Sequence, residues 1–121
     1  MDIRNLQSVE SFTTKDGSQI RELLAYRNSA IRNQSLAEAR LPIGASTTLH
    51  YHPQSEEIYY ILTGKGRMLL GDETAVVGPG DAVAIPSGLV HQIVNVGREP
   101  LVFLCCCAPG YEHADTVLVE E

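Results

Sequence analysis

The sequence predicts an all-β fold, a sandwich or barrel of short strands. Two observations predict it. Val, Ile, Leu, Tyr and Thr recur in short runs, several of them alternating apolar with polar, and Gly, Pro, Asn and Asp break those runs at close intervals. No stretch carries the sustained apolar spacing of a long amphipathic helix.

Taken in order, residues 2–12 have room for one turn or a short helix. Strands are expected over 19–26, 35–41, 47–52, 58–63, 66–70, 73–77, 81–85, 92–96 and 101–108. The breaks between them are legible as turns. "LTGKGR" and "LGDET" place Gly where a tight hairpin requires positive φ, and "VGPGD" and "IPSGLVH" combine Gly and Pro at further reversals. Strands so numerous and so closely spaced imply a sandwich or a barrel. No linker, low-complexity stretch or charge block divides the chain, whose 121 residues suit one domain.

Composition excludes several function classes. The net charge of −6 and the scattered basic residues argue against nucleic acid as a partner. No apolar run is long enough for a membrane-spanning helix, and the acidic start Met1–Asn5 lacks the apolar segment of a secretory signal. The three cysteines, Cys105 to Cys107, are consecutive. Neighbours on a strand point to opposite faces and bridge poorly, so they read as small apolar packing groups in a reducing cytoplasm.

The stretch "HYHPQSEE" at residues 50–57 is the first sign of chemistry. On a strand, His50 and His52 share one face, with Leu49 and Tyr51 on the other. A short turn at Pro53–Ser55 can return Glu57 beside them. Such a run is either a polar surface face or a set of ligands converging on one ion. His91, opening another strand after a Pro-Gly turn, is the candidate to complete a site.

The spacing carries a family resemblance. Gly44-x5-His50-x-His52-x4-Glu57-x6-Gly64 resembles the first motif of the cupin superfamily, and Gly80-x5-Pro86-x-Gly88-x2-His91-x3-Asn95 resembles the second. All ten defining positions are filled, with 15 residues between Gly64 and Gly80. At ordinary residue frequencies, a chance match falls below roughly one in a billion. The resemblance implies a double-stranded β-helix, or jelly roll, over residues 35–108, with a short N-terminal extension over 1–34 that packs on the barrel or on a partner subunit, and a tail over 109–121. It implies a homodimer, and a metal inside one barrel mouth held by His50, His52, Glu57 and His91. Three imidazoles and a carboxylate suit one divalent transition metal: Mn, Fe, Ni, Cu or Zn.

Two further residues are candidates for chemistry. Tyr59 shares the face of Glu57 and can donate a proton to bound substrate. Arg40 lies on an early strand whose counterpart in cupins often lines the pocket, where it can clamp a carboxylate. The function expected is a metal-dependent enzyme acting on a small oxygenated substrate (an oxo, hydroxy or sugar acid) by decarboxylation, isomerisation or lyase chemistry through bidentate chelation. The alternatives are an Fe-, Ni- or Cu-dependent dioxygenase and a small-molecule-binding cupin without turnover.

Overall fold

The structure, a computed structural model, describes residues 1–119. A single 3-10 turn at Leu6–Ser8 precedes the first strand, where a turn or short helix is expected. The strands are β1 (Phe12–Thr13), β2 (Gln19–Leu24), β3 (Ser35–Leu41), β4 (His50–Tyr51), β5 (Glu56–Thr63), β6 (Gly66–Leu70), β7 (Glu73–Val77), β8 (Ala82–Ile85), β9 (His91–Asn95), β10 (Leu101–Ala108) and β11 (Val117–Leu118). They form two antiparallel sheets. The first has the order β1-β2-β3-β10-β5-β8 and the second β11-β4-β9-β6-β7. Neighbours in each sheet are mostly distant in sequence, which is the jelly-roll wrapping expected.

Nine of these strands match the expected ones to within a few residues, the largest difference falling at β4. The short β1 and β11 have no counterpart in the sequence reading. Both are paired at sheet edges, β1 with β2 and β11 with β4. Two-residue strands carry no periodicity to read, so only their partners define them.

Alternation along β5 shows how the core is built. Glu57, Tyr59 and Ile61 are buried, while Ile58, Tyr60 and Leu62 are exposed. The inward side chains meet Ile20, Ala39 and Leu41 from β2 and β3, Phe103 from β10, Met68 from β6 and Ile93 from β9. The two sheets thus close over one apolar core, and burial of these side chains is the main stabilising term.

Asn95, the last residue of the second motif, is a brace for this closure. Its side-chain amide donates to the carbonyls of Leu41, Pro42 and Glu99 at 3.1, 3.2 and 2.9 Å, and its oxygen accepts from the Gly97 amide at 2.9 Å. One side chain therefore satisfies four backbone groups where the two sheets meet, and it does so 3% exposed.

Candidate metal centre

β4 and β9 are paired neighbours, with His50 directly opposite His91. This register brings the two motifs of the sequence together. His52 follows β4 by one residue, and its carbonyl accepts from the Gly88 amide at 2.7 Å, so the Pro86–Gly88 turn of the second motif fixes the end of the first. Gly88 has φ +79°, which favours glycine there. Glu57 arrives from the other sheet on β5, flanked by β8 and β10. The ring centroids of His50 and His91 are 4.2 Å apart, and His50, His52 and His91 offer nitrogens that all lie within 4.8 Å of one another.

Each imidazole is oriented from behind by a backbone carbonyl. Nδ1 of His50 lies 2.6 Å from the Thr48 carbonyl, Nδ1 of His52 3.1 Å from that of Asp115, and Nδ1 of His91 3.0 Å from that of Leu89. A carbonyl only accepts, so each Nδ1 carries a proton and each Nε2 of a neutral ring presents a lone pair. Glu57 Oε1 faces two of these lone pairs, 3.4 Å from His52 Nε2 and 3.5 Å from His91 Nε2. Both distances are long for charge-assisted hydrogen bonds. Glu57 Oε1 and His91 Nε2 are fully buried and have no hydrogen-bond partner among the described residues. Acceptors that face each other in a buried pocket are costly unless a cation lies among them. The donor set therefore fits a divalent metal ion, with the carbonyl-bound rings held in the tautomer such an ion requires.

When a proton takes the place of the cation, His52 carries it. Burial pushes the His52 pKa down, but Glu57 and the Asp115 carbonyl outweigh it and the value is raised above the ordinary 6.5. Burial alone would raise Glu57 too, and the two imidazoles at its Oε1 instead hold it at about 2. His50 is lowered, by burial and by neighbouring His91. The sign of the coupling follows. Just above pH 6.5 a metal has to displace the His52 proton, so affinity falls as pH drops through the raised value, and binding releases a proton to solvent. Titration calorimetry in buffers of different ionisation enthalpy measures that release. Heats that do not depend on the buffer would contradict it.

The cavity that His52 and Glu57 line has a volume of about 40 Å³ and is otherwise lined largely by small and apolar side chains, including Ile20, Ala37, Ala39 and Phe103. Tyr59 lines it as well, its ring tilted against that of Phe103 with centroids 4.6 Å apart. Burial, and then the Glu57 charge, push its phenol well above the ordinary value, so it stays protonated. Arg40 is not brought to this cavity. In β3 the inward positions are Ala37, Ala39 and Leu41. Arg40 lies on the opposite face with Glu38, in a surface cleft with Gln7 and Arg21. Its alternation with two alanines and a leucine was the available signal.

Three contributors to the site went unread in the sequence. Cys107 donates from Sγ to Glu57 Oε2 at 3.3 Å; burial and that carboxylate push its thiol up, so it stays protonated. Asp115, in the C-terminal tail, holds His52 through its carbonyl and accepts from the amides of Gln54 and Ser55 through its carboxylate. Asp16, on the turn between β1 and β2, places Oδ2 3.4 Å from His50 Nε2.

The fold and this cluster define a cupin. The cupin domain family matches residues 37–107, and the chain belongs to it. An uncharacterized protein of Methanocaldococcus jannaschii is 49% identical over 112 residues, which is 93% of this chain and 90% of that protein. An oxalate-binding protein of Thermotoga maritima is 40% identical over 68 residues, or 56% of each chain. The structure of oxalate decarboxylase from Bacillus subtilis superposes with a TM-score of 0.82 at 27% identity, covering 97% of this chain and 32% of that one.

Proposed function

We propose that the protein is a metal-dependent cupin enzyme acting on a small oxygenated molecule. One divalent transition metal is held by His50, His52, His91 and Glu57. The reading is carried by one observation: buried acceptors from both sheets face one another, and two of them lack a hydrogen-bond partner among the described residues. Such an ion, when bound, supplies Lewis-acid polarisation of a substrate oxygen.

This chain's own residues do the rest. The three backbone carbonyls behind the imidazoles occupy Nδ1 and leave each Nε2 free for the ion. Cys107 holds Glu57 by its outer oxygen, leaving Oε1 facing inward. Ile20, Ala39 and Phe103 exclude water, which strengthens every charge interaction inside. Tyr59 donates its phenolic proton to a substrate oxygen. The similarity to an oxalate decarboxylase supports a reading of decarboxylation, isomerisation or lyase chemistry. A second reading, ligand binding without turnover, is favoured by the similarity to an oxalate-binding protein. The exposed Ile58, Tyr60 and Leu62, at 50, 43 and 38%, form an apolar stripe on the outer face of the six-stranded sheet, which a homodimer would cover.

The test starts with metal analysis of protein purified without chelator, followed by turnover assays on small oxo and hydroxy acids. Tyr59→Phe is expected to lower kcat about 100-fold or more while leaving metal content unchanged. Protein that neither retains nor takes up a divalent metal would end the proposal. Undiminished turnover by Tyr59→Phe would remove the tyrosine from it.

A further inference from the structure

Asp16 stands at the centre of the strongest unexplained arrangement in the molecule. It occupies the tip of the Thr14–Ser18 turn that joins β1 to β2, and the turn is fastened across the cavity mouth. The Asp16 carbonyl accepts from the Thr48 amide at 2.7 Å, and Lys15 Nζ donates to the Thr116 carbonyl at 2.8 Å. The tip of the turn is thus tied both to the approach to β4 and to the C-terminal tail.

The Asp16 carboxylate is divided in its duties. Oδ1 accepts from Thr14 Oγ1 at 2.6 Å, from Ser18 Oγ at 2.7 Å and from the Ser18 amide at 3.0 Å. Those three donors fix the carboxylate plane. Oδ2 is left facing His50 Nε2 at 3.4 Å, on a side chain only 14% exposed. The 2.6 Å contact from His50 Nδ1 to the Thr48 carbonyl assigns the ring proton to Nδ1. Two acceptors, a carboxylate oxygen and an imidazole lone pair, therefore confront each other. The same confrontation recurs at Glu57 Oε1 with His52 and His91. Adjacent ligands on an octahedral ion of the first transition row lie roughly 3 Å apart. All three separations suit that geometry, slightly opened.

We propose that Asp16 is a second carboxylate of the metal centre, binding the ion through Oδ2 beside His50. This rests on the metal reading given above and extends it. Asp16 then leaves one exchangeable position where the four motif residues alone leave two. It also changes the charge. Two carboxylates neutralise a divalent ion, and no lysine or arginine is among the described residues lining the cavity. The substrate class is accordingly a neutral or singly charged oxygen compound, rather than a dianion such as oxalate.

The test uses the full chain loaded with Mn(II), comparing wild type with Asp16→Asn. The amide variant keeps an oxygen for the Thr14 and Ser18 donors and removes the ligating charge. Asp16→Ser, with its shorter oxygen, serves if the amide variant misfolds, and circular dichroism checks both. Exchangeable waters on Mn(II) are counted from line broadening of its electron spin resonance in ¹⁷O-water. Asp16→Asn is expected to gain one water, to bind Mn(II) about 10-fold or more weakly, and to bind oxalate about 10-fold or more tightly than wild type does. An equal water count in the two proteins would exclude Asp16 from the ion. Equal oxalate affinity would overturn the charge argument. Wild-type protein that binds no Mn(II) or other divalent metal would overturn the metal reading itself and this inference with it, so the two failures are distinct.

Discussion

His52→Ala is expected to lose divalent metal affinity by about 100-fold or more while the barrel stays folded. A substitution that merely perturbs the support of a ligand costs about 10- to 100-fold, and here a ligand itself is removed. The remaining two imidazoles and Glu57 cannot enclose an ion as the full set does. The fold is expected to survive because His52 lies beyond the end of β4 and outside the apolar cluster of Ile61, Ile93, Leu101 and Phe103. Its removal also relieves one of the two imidazole contacts at Glu57 Oε1. Thermal melting separates the two consequences. Metal at about 100 times its dissociation constant stabilises the wild type by about 2.7 kcal/mol and a 100-fold weaker variant by about 0.4 kcal/mol, so added metal raises the wild-type Tm far more than that of the variant. The metal-free proteins are expected to melt within a few degrees of each other. A variant with undiminished metal affinity would remove His52 from the centre.

Gly64→Ala is the substitution with the largest expected cost in stability. Gly64 turns the chain between β5, which carries Glu57, and β6, and it has φ +90°. That conformation alone costs a side chain about 1–2 kcal/mol. A Cβ there would also sit 2.8 Å from the Pro100 carbonyl oxygen and 2.9 Å from the Leu101 Cα. Both are backbone atoms at the start of β10, so the strand itself has to shift. The sum is about 3–5 kcal/mol, or a fall in Tm of about 10 °C or more for a chain of this size. Gly80→Ala is the control. It has the same φ of +90° but open space where the Cβ would point, so it is expected to lose only about 1–2 kcal/mol. Equal losses at the two positions would show that close packing against β10 is not what requires glycine at Gly64.

The site was legible where its residues sit in regular strands at fixed intervals. His50 and His52 share a face by alternation alone, and Glu57 and Tyr59 do so on β5; all four are buried as that parity requires. Arg40 shows the same rule neglected. The alternation of Ala37, Ala39 and Leu41 with Glu38 and Arg40 already distinguishes an apolar face from a polar one, and the arginine belongs to the latter.

Asp16, Cys107 and Asp115 were not legible, and the reasons differ. Cys107 shares parity with Cys105, but its partner Glu57 is opposite it only through the β10–β5 register. Asp115 reaches His52 because β11 adds to the edge of β4. Asp16 reaches His50 because a turn tip is tied to Thr48 across the mouth.

Period-two alternation, the turn glycines and the spacing of two histidine motifs settled from sequence alone that this chain is an all-β cupin with four candidate ligands. Tertiary structure alone decided which other groups meet those ligands. Local pattern is a property of neighbouring residues and can be read along the chain. Register between strands far apart in sequence, and the approach of Asp16 and Asp115 to the histidines, arise only from long-range pairing.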